Sequence, residues 1–273
     1  MTDKSARLRA ENLSIGYGGV PIVADLSVEI ADGAFTAIVG PNACGKSTLL
    51  RGLARILKPS GGQVILDGRD ITELHTKEVA RKMGLMPQTS IAPDGITVAD
   101  LVSRGRYPHQ RVFRQWSPND EDAVEAALSA TGTTGLAGRP VDELSGGQRQ
   151  RVWVAMLLAQ QTSLILLDEP TTFLDIAHQI ELLELFSMLT REAERTVVAV
   201  LHDLNHACRF ADQIIAMKSG QIVAKGTPGE VITPDLIEFV YGLACQIIAD
   251  PQTGTPLVIP RASGHARRGE PQA

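Results

Sequence analysis

Residues 40–48, Gly40-Pro41-Asn42-Ala43-Cys44-Gly45-Lys46-Ser47-Thr48, set small residues, one cation and two hydroxyls at the spacing of a phosphate cradle. Small residues let consecutive backbone N–H groups wrap a polyphosphate at the positive end of the helix that follows. Lys46 can then meet the β- and γ-phosphates, and Ser47 can ligate Mg²⁺. A second group lies in Leu164-Ile165-Leu166-Leu167-Asp168-Glu169, where four apolar residues deliver two carboxylates to a strand end, the place where sheet ligands sit. Asp168 would hold Mg²⁺ directly or through water, and Glu169 would polarise an attacking water. Read alone, an Asp-Glu pair is a solvated acidic turn; beside a phosphate loop it completes a hydrolytic site. A third group, Leu144-Ser145-Gly146-Gly147-Gln148, precedes an amphipathic helix and forms another helix N-terminus suited to an anion, with Ser145 as an extra donor. Alone it is an N-cap followed by flexible glycines.

These groups need elements that aim them. Residues 6–33 alternate apolar and polar positions between glycine turns, which predicts antiparallel strands with one solvated face. Residues 34–40 are a short continuous apolar run ending in glycine, the pattern of a strand buried on both faces, and they feed the phosphate loop. Helical spacing follows over 46–57 until Lys58-Pro59-Ser60-Gly61-Gly62 ends it, and the stretch from Gln63 to Ile71 adds a strand and turn. From about 90 to 160 helical patterns dominate, one of them opening on Asn119 as its cap, and no buried-strand run interrupts them. Buried-strand runs return at 164–168, 196–201 and 213–217, separated by helical segments at 177–192 and 204–211, so a parallel sheet is expected. The tail from residue 261 has few apolar residues and is expected to be disordered.

Bulk properties narrow the class. The 273 residues are 44% hydrophobic and 4% aromatic, enough for a sizeable core. A formal net charge of −5 argues against a broad basic face for nucleic acid. The most apolar stretch, 152–159, is too short to span a bilayer, and the first residues lack a signal-peptide run, so the chain is expected to stay in the cytosol. Cys44, Cys208 and Cys245 are odd in number and scattered, which gives no disulfide framework.

Taken together and in this order, the three chemical groups resemble the ATP-binding cassette family over about residues 7–250. The resemblance implies an α/β P-loop fold of the ABC type: a mixed, mostly parallel core sheet, an N-terminal antiparallel β subdomain and an inserted α-helical lobe. It places the core lobe at about 7–88 and 161–250 and the helical lobe at about 89–160. Residue by residue, it gives Tyr17 a stacking role on adenine, and Gln88 a role in sensing Mg²⁺ and the attacking water. His202 takes a γ-phosphate contact. In the family the signature faces a partner's nucleotide, so Ser145, Gly146, Gly147, Gln148 and Asp175 are expected to act across a dimer. One intact set of motifs implies a homodimer with two ATP sites.

One residue departs from the common pattern, and its neighbour carries a thiol. Many cassettes have glycine where Ala43 stands, and alanine in the left-handed region costs roughly 1 kcal/mol or more, so Ala43 is expected to take an ordinary conformation. Cys44 lies close to a helix N-terminus, which can lower a thiol pKa and make it reactive; the plainer reading is a small residue filling the loop.

Soluble relatives of DNA repair and translation usually carry coiled coils, zinc motifs or a second cassette, and none is visible. The resemblance then implies a transport ATPase at the cytoplasmic face of the inner membrane, working with an integral membrane permease and, through it, a substrate-binding protein. Residues 103–116 hold four arginines, a histidine and three aromatics without an acidic residue. Nucleic-acid stacking, a solvated loop and docking to a membrane partner all fit that composition. Its place after Gln88 favours docking through Arg104, Arg106 and Tyr107, and no nucleic acid is expected. The stretches around 104–110, 144–160, 168–185 and 200–212 look most like the ATPases of ferric-siderophore importers, especially the ferric-enterobactin type; haem and cobalamin importers share much of the pattern. A soluble cassette acting on nucleic acid or ribosomes is the alternative from another class.

Overall fold

The computed structural model describes residues 6–89, 91–110 and 116–261. Strands β1 (Leu8–Tyr17) and β2 (Val20–Ile30) pair antiparallel through the expected alternation, in which Leu8, Ala10, Leu13 and Ile15 point inward. With β4 (Gly61–Leu66) and β5 (Arg69–Asp70) they form a four-stranded sheet in the order β2-β1-β4-β5.

The second sheet carries the site. Its order is β10 (Gln221–Gly226), β9 (Gln213–Lys218), β3 (Phe35–Val39), β8 (Thr196–Val200), β7 (Leu164–Asp168) and β6 (Met83–Met86). All neighbours are parallel except β9 and β10. Every residue of β3, β7 and β8 is buried, which is why these strands read as continuous apolar runs. Because side chains alternate across a strand, Phe35, Ala37 and Val39 enter one core and Ile38 the other. The first core is closed by α5 (Gly146–Ala159), α6 (Ile176–Ala193) and α7 (Leu204–Phe210). The second encloses α1 (Lys46–Leu53) between the core sheet and the antiparallel sheet.

Helix α2 (Thr76–Lys82) leads into β6, and α3 (Val98–Ser103) and α4 (Pro118–Ala130) pack on α5 as a helical insertion. After β10 come α8 (Pro228–Val231), α9 (Pro234–Tyr241) and the hairpin β11 (Cys245–Ala249) and β12 (Pro256–Pro260).

Three local expectations change. Helix α1 stops at Leu53, and Arg55 turns the chain at φ 60° before Pro59 is reached. Helix α4 is capped by Ser117, not Asn119: Pro118 starts the helix, and Asp120 closes a capping box by accepting from the Ser117 backbone N–H at 3.0 Å. The short strand β6 and the final hairpin were not foreseen. Of the tail expected to be disordered from residue 261, Arg261 is placed, its N–H donating to the Ala244 carbonyl at 2.8 Å, and residues 262–273 lie outside those described. Arg111, Phe113 and Arg114 of the basic stretch also lie outside.

Candidate active site

The C-terminal ends of four adjacent parallel strands supply the chemistry. The phosphate loop leaves β3, His202 follows β8, Asp168 ends β7 with Glu169 next, and Gln88 lies two residues beyond β6. Lys46, Ser47, Gln88, Glu169, His202 and Ile22 line a cleft of about 440 Å³ together with Asn42, Ala43, Cys44, Gly45 and Thr48.

The loop's tight curve needs its glycines in two places. Gly40 sits at φ 152°, and a Cβ there would run into the Met217 carbonyl. Gly45 sits at φ 103° as the N-cap of α1, with a Cβ reaching 3.2 Å from the Val23 side chain. Lys46 Nζ donates to the Gly40 and Pro41 carbonyls at 2.9 and 2.8 Å, so the ammonium is held over the loop mouth.

One expectation about this loop is overturned. Ala43 does not take an ordinary conformation: it lies in the left-handed region at φ 60°, at the position where glycine is common. Cys44 fits the plainer reading of a small residue filling the loop. It is buried against Gly40, and desolvation pushes its pKa up despite the opposing pull of Lys46.

Ser47 Oγ donates to Asp168 Oδ1 at 2.6 Å, and Asp168 is wholly buried at the end of β7. Arg51, one turn beyond Ser47 on the same face of α1, meets Asp168 Oδ2 at 3.3 Å. A hydroxyl and a buried carboxylate already facing each other, with the Gln88 amide across the cleft, are the hard oxygen donors that Mg²⁺ takes beside phosphate oxygens. The residues therefore fit that ion.

Glu169 is gripped on both oxygens. Its Oε2 accepts from Gln88 Nε2 at 2.7 Å, and its Oε1 lies 2.7 Å from His202 Nε2. Its own backbone is left-handed at φ 56°, a strained conformation of the kind found where geometry serves chemistry. A carboxylate fixed this way, opposite Lys46 and Ser47, can take a proton from a water attacking a phosphate.

The signature residues lie elsewhere. Ser145 caps α5 by accepting from the Gln148 N–H at 3.2 Å, while Gln148 Oε1 accepts from the Ser145 N–H at 3.1 Å. Gly146 and Gly147 form the first turn, and Asp175 caps α6 through the His178 N–H at 3.0 Å. None of these five residues lines the cleft of its own chain. Tyr17 ends β1, its hydroxyl accepting from Arg51 Nη1 at 3.2 Å.

Residues 23–172 match the ABC transporter family. The chain belongs to it. This ABC ATPase couples ATP hydrolysis to transport. It is 58% identical over 260 residues to the ferric enterobactin transport ATP-binding protein FepC of Escherichia coli, covering 95% of this chain and 96% of that protein. It is 54% identical to the probable siderophore transport system ATP-binding protein YusV of Bacillus subtilis, over 94% of each. Among solved structures it resembles a chain of a metal-chelate type ABC transporter in an inward-facing conformation, with a TM-score of 0.80 and 28% identity over 94% of this chain and 98% of that one. A dimeric bacterial ABC transporter cassette matches with a TM-score of 0.73 and 28% identity, over 81% of this chain and 98% of that one.

The basic stretch of the ABC ATPase divides in a way its composition does not reveal. Arg104 and Tyr107 are exposed, and Lys77 Nζ stands 4.8 Å from the Tyr107 ring centre. Arg106 is buried and cannot form a docking surface. Its guanidinium binds Asp120 at 2.8 Å, the Ala159 carbonyl at 2.7 Å and Gln161 Oε1 at 2.9 Å. Desolvation would raise the Asp120 pKa, but hydrogen bonds from Ser117 and Arg106 hold it below the usual carboxylate range.

Two residues of the ABC ATPase escaped sequence reasoning: Arg51, which holds Asp168 from α1, and Ile22, which lines the cleft. Arg51 carried a usable signal, its i, i+4 spacing from Ser47. Ile22 carried none, because its place on the cleft wall depends on how β2 crosses the loop.

Proposed function

We propose that this ABC ATPase powers the uptake of a ferric siderophore through a separate membrane permease. The likeness to FepC over nearly the full length of both proteins carries the reading, and a second relative named for siderophore transport supports it.

At the site, Lys46 and the loop N–H groups bind the β- and γ-phosphates, and Tyr17 stacks on adenine. Ser47, Asp168 and the Gln88 amide would hold Mg²⁺, which would supply neutralisation of phosphate charge. Glu169 accepts the proton of the attacking water, Gln88 and His202 keep its carboxylate aimed, and His202 also meets the γ-phosphate. Two copies pair head to tail, so that Ser145, Gly146, Gly147, Gln148 and Asp175 reach the partner's nucleotide. Exposed Phe173 and Ile176 beside Asp175, at 80% and 77% accessibility, supply apolar surface for that contact. ATP closes the dimer and hydrolysis releases it.

The permease contact moves from Arg106 to a neighbouring groove. Pro87, Thr89, Ile91, Trp153 and Met156 line an apolar channel of about 260 Å³ directly beyond Gln88, with Ile91 87% exposed. A partner helix seated there would press on the Gln88 segment, and the exposed Arg104 and Tyr107 stay available for polar contacts to the same partner. No helix among the described residues is long and apolar enough to cross a membrane. The reading assigns the transport path to the permease and this chain to the cytoplasmic membrane face. Affinity purification of the tagged chain from membranes tests the reading. Recovery of a permease pair, with growth on one ferric siderophore lost on deletion, supports it; recovery with ribosomes or DNA and no permease overturns it.

A further inference from the structure

The guanidinium of Arg51 spans two parts of the site that have no contact of their own. Nη1 donates to the Tyr17 hydroxyl at 3.2 Å and Nη2 meets Asp168 Oδ2 at 3.3 Å. Asp168 is 1% exposed, and its other oxygen accepts from Ser47, so α1 grips both carboxylate oxygens from one face. Tyr17 stands at the outer rim, 45% exposed, on the antiparallel sheet. A planar fork can hold a phenol and a carboxylate at once, whereas a lysine is a single point charge.

We propose that Arg51 is a positioning residue that couples the adenine contact to the metal carboxylate. By holding Oδ2, it leaves the Oδ1 edge, shared with Ser47, to face Mg²⁺. By holding the Tyr17 hydroxyl, it sets the ring's angle. Base binding that seats Tyr17 thereby steadies Asp168, and Mg²⁺ at Asp168 steadies the ring. The proposal rests on the roles given above to Tyr17 and Asp168.

The test compares ATP affinity in Mg²⁺ and in EDTA by calorimetric titration of the full chain, with melting temperature as a check on folding. Tyr17→Phe keeps the ring and removes only the hydroxyl. Its loss is expected to lower the Mg²⁺-to-EDTA affinity ratio about fivefold, the worth of one hydrogen bond. Arg51→Lys lowers the ratio similarly, and the double variant falls no further than either single one. Asp168→Asn separates the two readings: if it leaves the ratio unmoved, the metal assignment falls. If it lowers the ratio while Tyr17→Phe does not, or if the two single losses multiply in the double variant, the coupling falls.

Discussion

Gln88 Nε2 and Glu169 Oε2, 81 positions apart in the chain, meet at 2.7 Å across the ends of β6 and β7. The residue beside the apolar groove thus touches the carboxylate proposed to activate the attacking water. On the proposed reading, a shift of the Gln88 segment would re-aim Glu169, so that partner docking and hydrolysis would share one hydrogen bond.

Gln88→Ala should therefore lower the hydrolysis rate about tenfold, equivalent to about 1.4 kcal/mol, while KM for ATP changes less. Steady-state kinetics with a phosphate-release assay decide it. A normal rate constant with a raised KM would place Gln88 in binding alone.

Arg106→Ala should destabilise the fold by about 3 kcal/mol, because it leaves Asp120 buried without its partner. Denaturant unfolding measures this. Asp120 has a lowered folded pKa, so its stabilisation is present above the unfolded value of about 3.9 and lost as pH falls through the folded value. Asp120→Asn should flatten the loss of stability below pH of about 4; an unchanged acid limb would contradict the pairing.

Cys44 should resist alkylation in the native protein at pH 8, at least about tenfold slower than a free thiol, and label fully on unfolding. Mass spectrometry of the modified peptide checks it. Rapid native labelling would restore the activated thiol.

Ala43→Gly should stabilise the protein by about 1 kcal/mol, since glycine holds φ 60° without a Cβ penalty, and should leave ATP turnover intact. Thermal unfolding reads the first effect. A loss of stability would mean that the alanine side chain packs favourably in the loop.

Sequence legibility followed local physics. Strands β3, β7, β8 and β9 stood out because burial on both faces writes an apolar run, and the phosphate loop because glycine is needed where backbone meets backbone, as at Gly40 and Met217. Four-residue β6 was too short to leave a pattern. Nothing local distinguished Arg106 from Arg104: the partner that buries it, Asp120, is 14 positions away. Cys44 was left open for the opposite reason, since its helix-terminus signal is local while the desolvation that opposes it comes from tertiary packing. Arg51 was readable in principle from its spacing to Ser47, but only the fold brings Tyr17 to its other side.

The most direct test of the account replaces Glu169 with Gln, which keeps the shape and the contact with Gln88 but cannot take a proton. Hydrolysis by purified Glu169→Gln with MgATP, followed alongside its mass by light scattering, should fall at least about a hundredfold while an ATP-bound dimer accumulates. Hydrolysis at the parental rate would contradict the assignment of Glu169 as the base.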